Sequence, residues 1–310
     1  MNFYTAKQIA EKWNLSVQQI RKYCKEGRIK SAFQYEGQWL IPENATAPDQ
    51  EEVEERELHL LKKLRYQMER NNHFGIYEYL QVNLAYSSSR MANNRLTRNQ
   101  VEEIYRTNRI TPSFEGTKVD DIFEIVNHFL CMRYVIENAE VPLTIDLIKH
   151  IHYLLTHGTY SDKRNKLSVG AFRSTMAKWG TKPEKISKEL TSLLQNYEKK
   201  SVNYEEESSI LVKILDLHVC FERIHPFDDY NGRVGRILMM KECLRWGIDP
   251  FIIDDKRRGA YNRGIACWDT DPENLQKAVS EAQKRFQNKL EVCHLMQYHR
   301  PPFVRTDSKL

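Results

Sequence analysis

The segment 225–236, with the sequence HPFDDYNGRVGR, lies between two apolar stretches that have the residue spacing of helices. Pro226 has no backbone N–H and disfavours helix at the residue before it, so we expect the first helix, 210–224, to end at His225. A second helix is expected to begin near Asn231. Unpaired N–H groups and the helix dipole favour an anion at such a start. The sequence therefore predicts a tight turn with an anion site.

The side chains of this segment suit phosphate groups. Gly232 leaves room for a close approach, and Arg233 and Arg236 share one face of the first helical turn. Their guanidinium groups can offer forked donors to more than one phosphate. Asp229 adds a hard oxygen ligand for Mg2+, which usually binds through carboxylates together with substrate phosphates. A charged corner between two helices is the alternative, but such a corner does not need this combination.

Residues 225–236, here called the signature segment, resemble the signature of the Fic (Fic/Doc) family, H-x-F-x-(D/E)-(G/A)-N-G-R-x-x-R. Every fixed position matches except Tyr230, where the family usually has Gly or Ala. The resemblance implies a mainly α protein, with a Fic-type helical core and a small β-hairpin flap. It also implies a protein adenylyltransferase, which moves AMP from ATP to a Ser, Thr or Tyr hydroxyl with Mg2+. Because Tyr230 departs from the family pattern, the resemblance does not determine the reaction rate or the preferred nucleotide.

The resemblance assigns roles to individual residues. His225 is expected to accept the proton of the target hydroxyl, and Phe227 is expected to point into the core. The catalytic residues that it implies are His225, Asp229, Arg233 and Arg236, with Asp229 as the metal ligand. The nucleotide-binding residues that it implies are Asn231, Gly232, Arg233, Gly235, Arg236, Tyr261 and Ile265. Tyr261 and Ile265 would border the adenine, although residues of these types at helical spacing also serve as core.

A second element, Gly170-Ala-Phe-Arg173, resembles the G-x-(F/Y)-R element that precedes a β-hairpin flap in Fic proteins. The residues expected to form this flap are Met176, Ala177, Lys178 and Trp179. The flap would pair with the main chain of a target protein as an added strand, which holds a hydroxyl near the phosphorus without reading much sequence. An ordinary surface hairpin is the alternative.

The segment from Ser88 to Asn93 resembles the inhibitory pattern (S/T)-x-x-x-E-(G/N) of many Fic proteins, but Ala92 stands where that pattern has Glu. In those proteins the Glu pairs with the second arginine of the signature and blocks the γ-phosphate. We therefore expect a regulatory helix near 87–97 that includes Ser88, Ala92 and Asn93 and lacks its charge. An engineered Glu→Ala substitution is the first explanation, and natural loss is the second.

The chain divides by composition into several parts. The residue pattern of 1–45 predicts two short helices and a β-hairpin. This segment resembles the small winged helix-turn-helix of the MerR and excisionase type. The polar and basic second helix suits DNA, but such modules also mediate protein contacts or dimerisation. Residues 46–57 read as an acidic linker, 58–290 as the Fic domain and 291–310 as a C-terminal tail.

Composition limits the remaining possibilities. The six cysteines are scattered without a C-x-x-C pair, and no apolar run of about 18 residues or signal-peptide pattern is visible. We expect a cytoplasmic protein without a membrane partner, whose partner is a target protein with a hydroxyl side chain. DNA and a second copy of the chain stay open as partners. The alternative functions are a transcription regulator with a Fic-like ligand sensor and transfer of another phosphate-containing group.

Overall fold

The computed structural model places most of the chain, and the chain divides into two compact units, Met1–Leu58 and His59–Leu310. The described residues are 3–13, 15–25, 29, 32–35, 37–43, 45, 60–70, 75–160, 168–200 and 206–292. The expected acidic linker, 46–57, and nearly all of the expected tail, 291–310, lie outside the described residues.

The N-terminal unit combines two helices with a small antiparallel sheet. Its elements are β1 (Phe3–Thr5), α1 (Ala6–Trp13), α2 (Val17–Lys25), β2 (Phe33–Tyr35) and β3 (Gln38–Pro42). The strand order is β1-β3-β2, so β3 is central and pairs with both neighbours. Ile9, Ile20 and Ile41 are fully buried between the helices and the sheet. Helices and hairpin lie where the sequence predicts them, whereas the assignment to the winged helix-turn-helix class stays a prediction.

The second unit is helical throughout its described residues apart from loops and two short 3-10 turns. Its helices are α3 (Leu60–Glu69), α4 (Ile76–Arg90), α5 (Arg98–Thr107), α6 (Val119–Glu137), α7 (Ile145–Thr156), α8 (Pro183–Lys199), α9 (Glu207–Ile224), α10 (Asn231–Trp246), α11 (Arg258–Ala266) and α12 (Glu273–Val292). The prediction of a mainly helical protein is confirmed. Among the described residues, no helix is long and apolar enough to cross a membrane.

The helices that flank the signature segment, α9 and α10, are anchored in the main apolar cluster. This cluster also takes the buried faces of α6 and α7, and it includes Cys131, Met132, Ile148, Ile151, Phe221, Phe227, Val234 and Ile237. Burial of side chains on both helices fixes their separation, because protein interiors are close-packed. The turn between α9 and α10 is therefore held at both ends by the core.

The regulatory segment is not one helix. Only residues 87–90 are helical, as the end of α4, while 91–93 form a turn and 94–97 have no regular secondary structure. Asn93 has a left-handed backbone with φ of 70°, and Asn94 accepts a hydrogen bond from the N–H of Leu96 through its side chain. Both features stop a helix, and Thr97 then caps α5. The prediction of a helix over 87–97 is therefore wrong beyond Arg90.

The prediction of a β-hairpin flap is also wrong for the described residues. Residues 174–182, here called the flap loop, contain no strand, and 161–167 lie outside the described residues. The guanidinium of Arg173 donates to the carbonyls of Thr175 and Thr181, and the N–H of Thr181 donates to the Ile224 carbonyl at 3.1 Å. These bonds take backbone groups that a hairpin would have paired with each other. The flap loop is thus attached to the end of α9 instead of forming its own ladder.

Candidate functional site

The backbone of the signature segment is fixed by two left-handed residues and one asparagine. His225 ends α9 with φ of 51°, and Tyr230 precedes α10 with φ of 66°. Between them, the Asn231 amide accepts from the N–H of Phe227 at 3.0 Å and donates to the carbonyl of Phe227 at 2.9 Å. Asn231 thus braces the loop, whereas the sequence assigned it to the nucleotide. The side chain of Phe227 is fully buried, which confirms its predicted direction.

His225 is half-buried and lies beside two residues of the flap region. Arg173 donates from Nε to the His225 carbonyl at 2.8 Å, and the ring of Trp179 meets the imidazole edge-on with centroids 4.9 Å apart. Burial first, and then the charge of Arg173, lower the pKa of His225 below its usual 6.5, against the opposing charge of Asp229. A neutral imidazole at neutral pH can accept a proton. Sequence reasoning missed the contact with Trp179, because it joins segments that are 46 residues apart.

The start of α10 leaves donors available for an anion. Tyr230 makes no side-chain cap, so the first N–H groups of the helix have no capping oxygen. A Cβ atom added at Gly232 would lie 3.1 Å from Nη1 of Arg236, which shows that this guanidinium reaches the helix start. A Cβ at Gly235 would lie 2.6 Å from the ring of His218. Gly235 is therefore required for packing against His218, a role separate from its predicted contact with nucleotide.

Each arginine of the signature segment already has partners within the protein. Arg236 donates from Nε to Ser88 Oγ and from Nη2 to the Ser88 carbonyl, both at 3.0 Å. Arg233 is buried and forms an ion pair from Nη1 to Oε1 of Glu124 at 2.8 Å. Its Nη2 lies 3.6 Å from Oδ2 of Asp229. Glu124 could not be singled out from the sequence, because a carboxylate within a long helix is usually a solvated surface group.

Of the three residues predicted to be regulatory, Ser88 contacts Arg236. Ser88 is buried in the last turn of α4, and Ala92 is partly buried in the turn that follows. Asn93 is exposed and accepts a hydrogen bond from Arg258 at 3.3 Å. The resemblance implies that position 92 pairs with Arg236, whereas the structure shows Ser88 contacting Arg236 through neutral oxygens.

The two predicted adenine contacts lie in the core or against it. Tyr261 is 2% exposed, and its hydroxyl is hydrogen-bonded to Nε2 of His218. Ile265 is partly buried and packs against a second apolar cluster, to which Tyr261 belongs. Both residues contribute to packing here, and their contact with a base stays a prediction.

A divalent cation fits the donors of this site only together with phosphate oxygens. Among the described residues there is no group of three or more His, Cys, Asp or Glu side chains that could hold a metal. The Asp229 side chain is 64% exposed, and its Oδ1 accepts from the N–H of Tyr230 at 2.6 Å. One exposed carboxylate beside an uncapped helix start is compatible with the way Mg2+ is usually held, through a carboxylate together with substrate phosphates.

The flap-loop residues face outward near this site. Of the four residues predicted to form the flap, Met176, Lys178 and Trp179 are exposed, whereas Ala177 is partly buried. Met176 and Trp179 are 66% and 63% exposed, which is unusual for large apolar side chains. A large apolar group beside a half-buried imidazole can contact a partner that approaches His225.

The fold and the site define a mainly helical protein with a tight turn that leads into an uncapped helix start, and part of the chain is similar to known proteins. Residues 142–243, which contain the whole signature segment, match the Fic/DOC family. The chain is 31% identical to the protein adenylyltransferase Fic of Drosophila melanogaster over 179 residues. These residues make up 57% of this chain and 35% of that relative. The chain is also 31% identical to the protein adenylyltransferase Fic of Drosophila yakuba, and the aligned residues cover 34% of that relative. The chain thus spans about a third of the length of the curated relatives it matches.

Solved structures share the fold. Fic-1 from C. elegans superposes with a TM-score of 0.56 and 18% identity, over 78% of this chain and 74% of that chain. A Fic domain containing signaling protein from Bacteroides thetaiotaomicron gives a TM-score of 0.53 and 19% identity, over 76% of this chain and 92% of that one. The helical architecture described above is therefore that of Fic-domain proteins.

The shielding of His225 from water by Trp179 should be measurable as a lowered pKa of His225. We expect the pKa of His225, followed by nuclear magnetic resonance of labelled histidine, to lie below 6.5 in the parent protein. Trp179→Ala exposes the imidazole to water, so the pKa should rise towards 6.5, because burial is the largest cause that lowers it. Trp179→Phe keeps an aromatic cover and should change the pKa less. An unaltered value in Trp179→Ala would contradict the assigned contact.

Proposed function

We propose that the chain is a Mg2+-dependent protein adenylyltransferase that transfers AMP from ATP to a hydroxyl side chain of a target protein, itself included. The observation that carries this proposal is the arrangement of the signature segment. It places a half-buried, neutral His225 at one end of the turn, and at the other an uncapped helix start within reach of Arg236. The likeness to adenylyltransferases of the Fic family supports the same activity.

In the proposed reaction, His225 accepts the proton of a Ser, Thr or Tyr hydroxyl as its oxygen attacks the α-phosphorus of ATP. A new O–P bond forms, and the bond between the α-phosphorus and the bridging oxygen breaks on the opposite side. Pyrophosphate leaves with the electron pair. The chain's own part is to position the reactants and to stabilise negative charge, which can supply much of a rate enhancement.

The phosphates would lie along the start of α10. The N–H groups near Gly232 and the guanidinium of Arg233 would hold the α- and β-phosphates, and Arg236 would meet the γ-phosphate. When bound on Asp229, Mg2+ would neutralise charge on the phosphate oxygens. The chain's residues would then keep the triphosphate in line with the imidazole.

The target protein would approach over the flap loop. Trp179 and Met176 offer exposed apolar surface on that side, and the ring of Trp179 contacts the imidazole of His225. Because the flap loop carries no strand of its own, any strand pairing with a target would have to form on binding.

Labelled nucleotides test this proposal against its alternatives. Incubation with α-labelled ATP and Mg2+ should put label on protein, whereas γ-labelled ATP should not. Label from γ-labelled ATP would indicate phosphate transfer, and activity only with CDP-choline or UTP would indicate another transferred group. No transfer from any of them would favour a Fic-like ligand sensor within a transcription regulator. A pull-down of labelled protein would then identify the target.

The N-terminal unit favours a second function, contact with DNA. The exposed side chains of α2 include Arg21, Lys22 and Lys25, so one face of this helix is strongly basic. A basic helix presented by a small helix–turn–helix suits phosphates and base edges. Binding to another protein is the competing use of the same face.

His225→Ala should abolish transfer while ATP affinity stays within a few-fold, since the base contacts the incoming hydroxyl and not the phosphates. Loss of a general base typically costs on the order of a hundred- to ten-thousand-fold in rate. The check is the rate of label transfer together with nucleotide binding by calorimetry. His150→Ala, at an exposed histidine on α7, is the control and should be active. Near-parent transfer by His225→Ala would show that another group is the base.

Ala92→Glu should lower transfer steeply. Ala92 lies four residues after Ser88, whose hydroxyl accepts a hydrogen bond from Arg236, so the new carboxylate is expected to pair with the Arg236 guanidinium. Its negative charge would repel a bound triphosphate. Transfer should fall more than nucleotide affinity, because ATP could bind with its α-phosphorus out of line.

The matched control for that substitution is Ala92→Gln, which is similar in size but uncharged and should inhibit much less. In an Arg236→Ala background, Ala92→Glu should add little further loss, so the two changes should be strongly non-additive. Unaltered transfer by a folded Ala92→Glu protein would remove the autoinhibitory interpretation of this turn.

For the N-terminal unit, the double substitution Arg21→Ala and Lys22→Ala should weaken DNA binding. If both side chains contact phosphate, the slope of log affinity against log salt should fall by about 2. Fluorescence anisotropy over a salt series measures this slope. Lys185→Ala with Lys188→Ala removes the same charge from an exposed face of α8 and should leave the slope unchanged. A parent protein without DNA affinity would assign α2 to protein contacts.

A further inference from the structure

Glu124, on α6, is at the centre of a network that includes the one unusual residue of the signature segment. The Tyr230 hydroxyl donates to Oε1 of Glu124 at 3.0 Å, and Nη1 of Arg233 lies 2.8 Å from the same oxygen. The guanidinium of Arg233 also stacks on the Tyr230 ring, with Cζ 3.2 Å from the ring centroid. The tyrosine that replaces the usual small residue therefore contacts both members of the ion pair.

The other oxygen of Glu124 is held from a second direction. Asn94 donates from Nδ2 to Oε2 of Glu124 at 3.0 Å, and also to the carbonyl of Asp121 at 2.9 Å. Asn94 directly follows the turn that contains Ala92. The carboxylate of Glu124 is thus fixed through both of its oxygens before any ligand binds, which spares the entropy of ordering it later.

Arg233 lies between two carboxylates that differ in exposure. Its Nη1 is 2.8 Å from Glu124, whose side chain is 16% exposed, while its Nη2 is 3.6 Å from Asp229, whose side chain is 64% exposed. A pair removed from water interacts more strongly than an exposed one, so Glu124 is the stronger partner. Without Glu124, Arg233 would be expected to pair with Asp229, whose Oδ2 already lies 3.6 Å from Nη2 of Arg233. That pairing would take the oxygens that a cation needs.

We propose that Glu124 is a positioning residue of the nucleotide site, which together with Tyr230 and Asn94 engages Arg233 more closely than Asp229 does and so weakens the pairing of Arg233 with Asp229. This inference rests on the proposed function, since it assumes that phosphates and Mg2+ bind here. Arg233 is then fixed for phosphate contact, and the carboxylate of Asp229 stays available. Glu124 itself touches neither substrate nor metal.

Binding of a fluorescent, non-hydrolysable ATP analogue tests this role without any transfer step. In Glu124→Gln, which keeps size and removes charge, we expect affinity in the presence of Mg2+ to fall about tenfold, equivalent to about 1.4 kcal/mol. The loss should be smaller in EDTA, because Asp229 then has no cation to hold. Tyr230→Phe keeps the stacked ring but loses the hydroxyl, so it should show a weaker form of the same Mg2+-dependent loss.

Double substitutions separate this role from a general effect on folding. Glu124→Gln with Tyr230→Phe should lose no more affinity than Glu124→Gln alone, because both act through one carboxylate oxygen. In an Arg233→Ala background, Glu124→Gln should have no further effect. Circular dichroism and thermal unfolding check the fold, and Tyr230→Phe carries the test if Glu124→Gln does not fold.

Two results would overturn the proposal. One is unchanged or tighter binding by folded Glu124→Gln, which would mean that Glu124 withholds Arg233 from nucleotide. The other is an equal loss with and without Mg2+, the result expected of a structural role alone. If the Mg2+-dependent loss occurs but the parent protein transfers no label from α-labelled ATP, the role of Glu124 stands and the proposed transfer falls.

Discussion

The amide of Asn231 closes the turn between α9 and α10 from the inside, and the candidate site depends on this closure. Both of its hydrogen bonds go to the backbone of Phe227, whose ring stacks on His152 with centroids 3.9 Å apart. The loop is therefore tied to its own helix start and to the core at one residue. Because His225 and the uncapped end of α10 lie on either side of this tie, their separation is fixed by the fold.

A site closed in this way can keep its charged groups oriented before a ligand arrives. Arg236 is held by two oxygens of Ser88, and Arg233 by Glu124 and the ring of Tyr230. Fixed donors in a partly buried site need no reorganisation when negative charge develops, which is the basis of electrostatic preorganisation. The residues that perform the holding come from α4 and α6, so these helices belong to the site as much as the signature segment does.

Local features of the chain were predictable, and contacts distant in sequence were not. Pro226 predicted that α9 ends at His225, because backbone restrictions act within a few residues, and α10 begins at Asn231 as expected. Glu124 is 106 residues from Tyr230, and nothing in its neighbourhood distinguishes it from a surface carboxylate of α6. The flap loop was mistaken for a hairpin for the same reason. Its backbone partners are Arg173 and the end of α9, and only the tertiary fold brings these together.

The contact between Arg236 and Ser88 separates two effects that a carboxylate would combine. A hydroxyl and a carbonyl orient the guanidinium through hydrogen bonds at 3.0 Å, but they carry no charge that would neutralise it. A glutamate at position 92 would be expected both to orient and to neutralise the same group, and neutralisation is what excludes a phosphate. With Ala92 in that turn, the neutral contacts remain and no carboxylate comes from position 92. The last turn of α4 can therefore position Arg236 through Ser88 while the positive charge of Arg236 stays available to an anion at the start of α10.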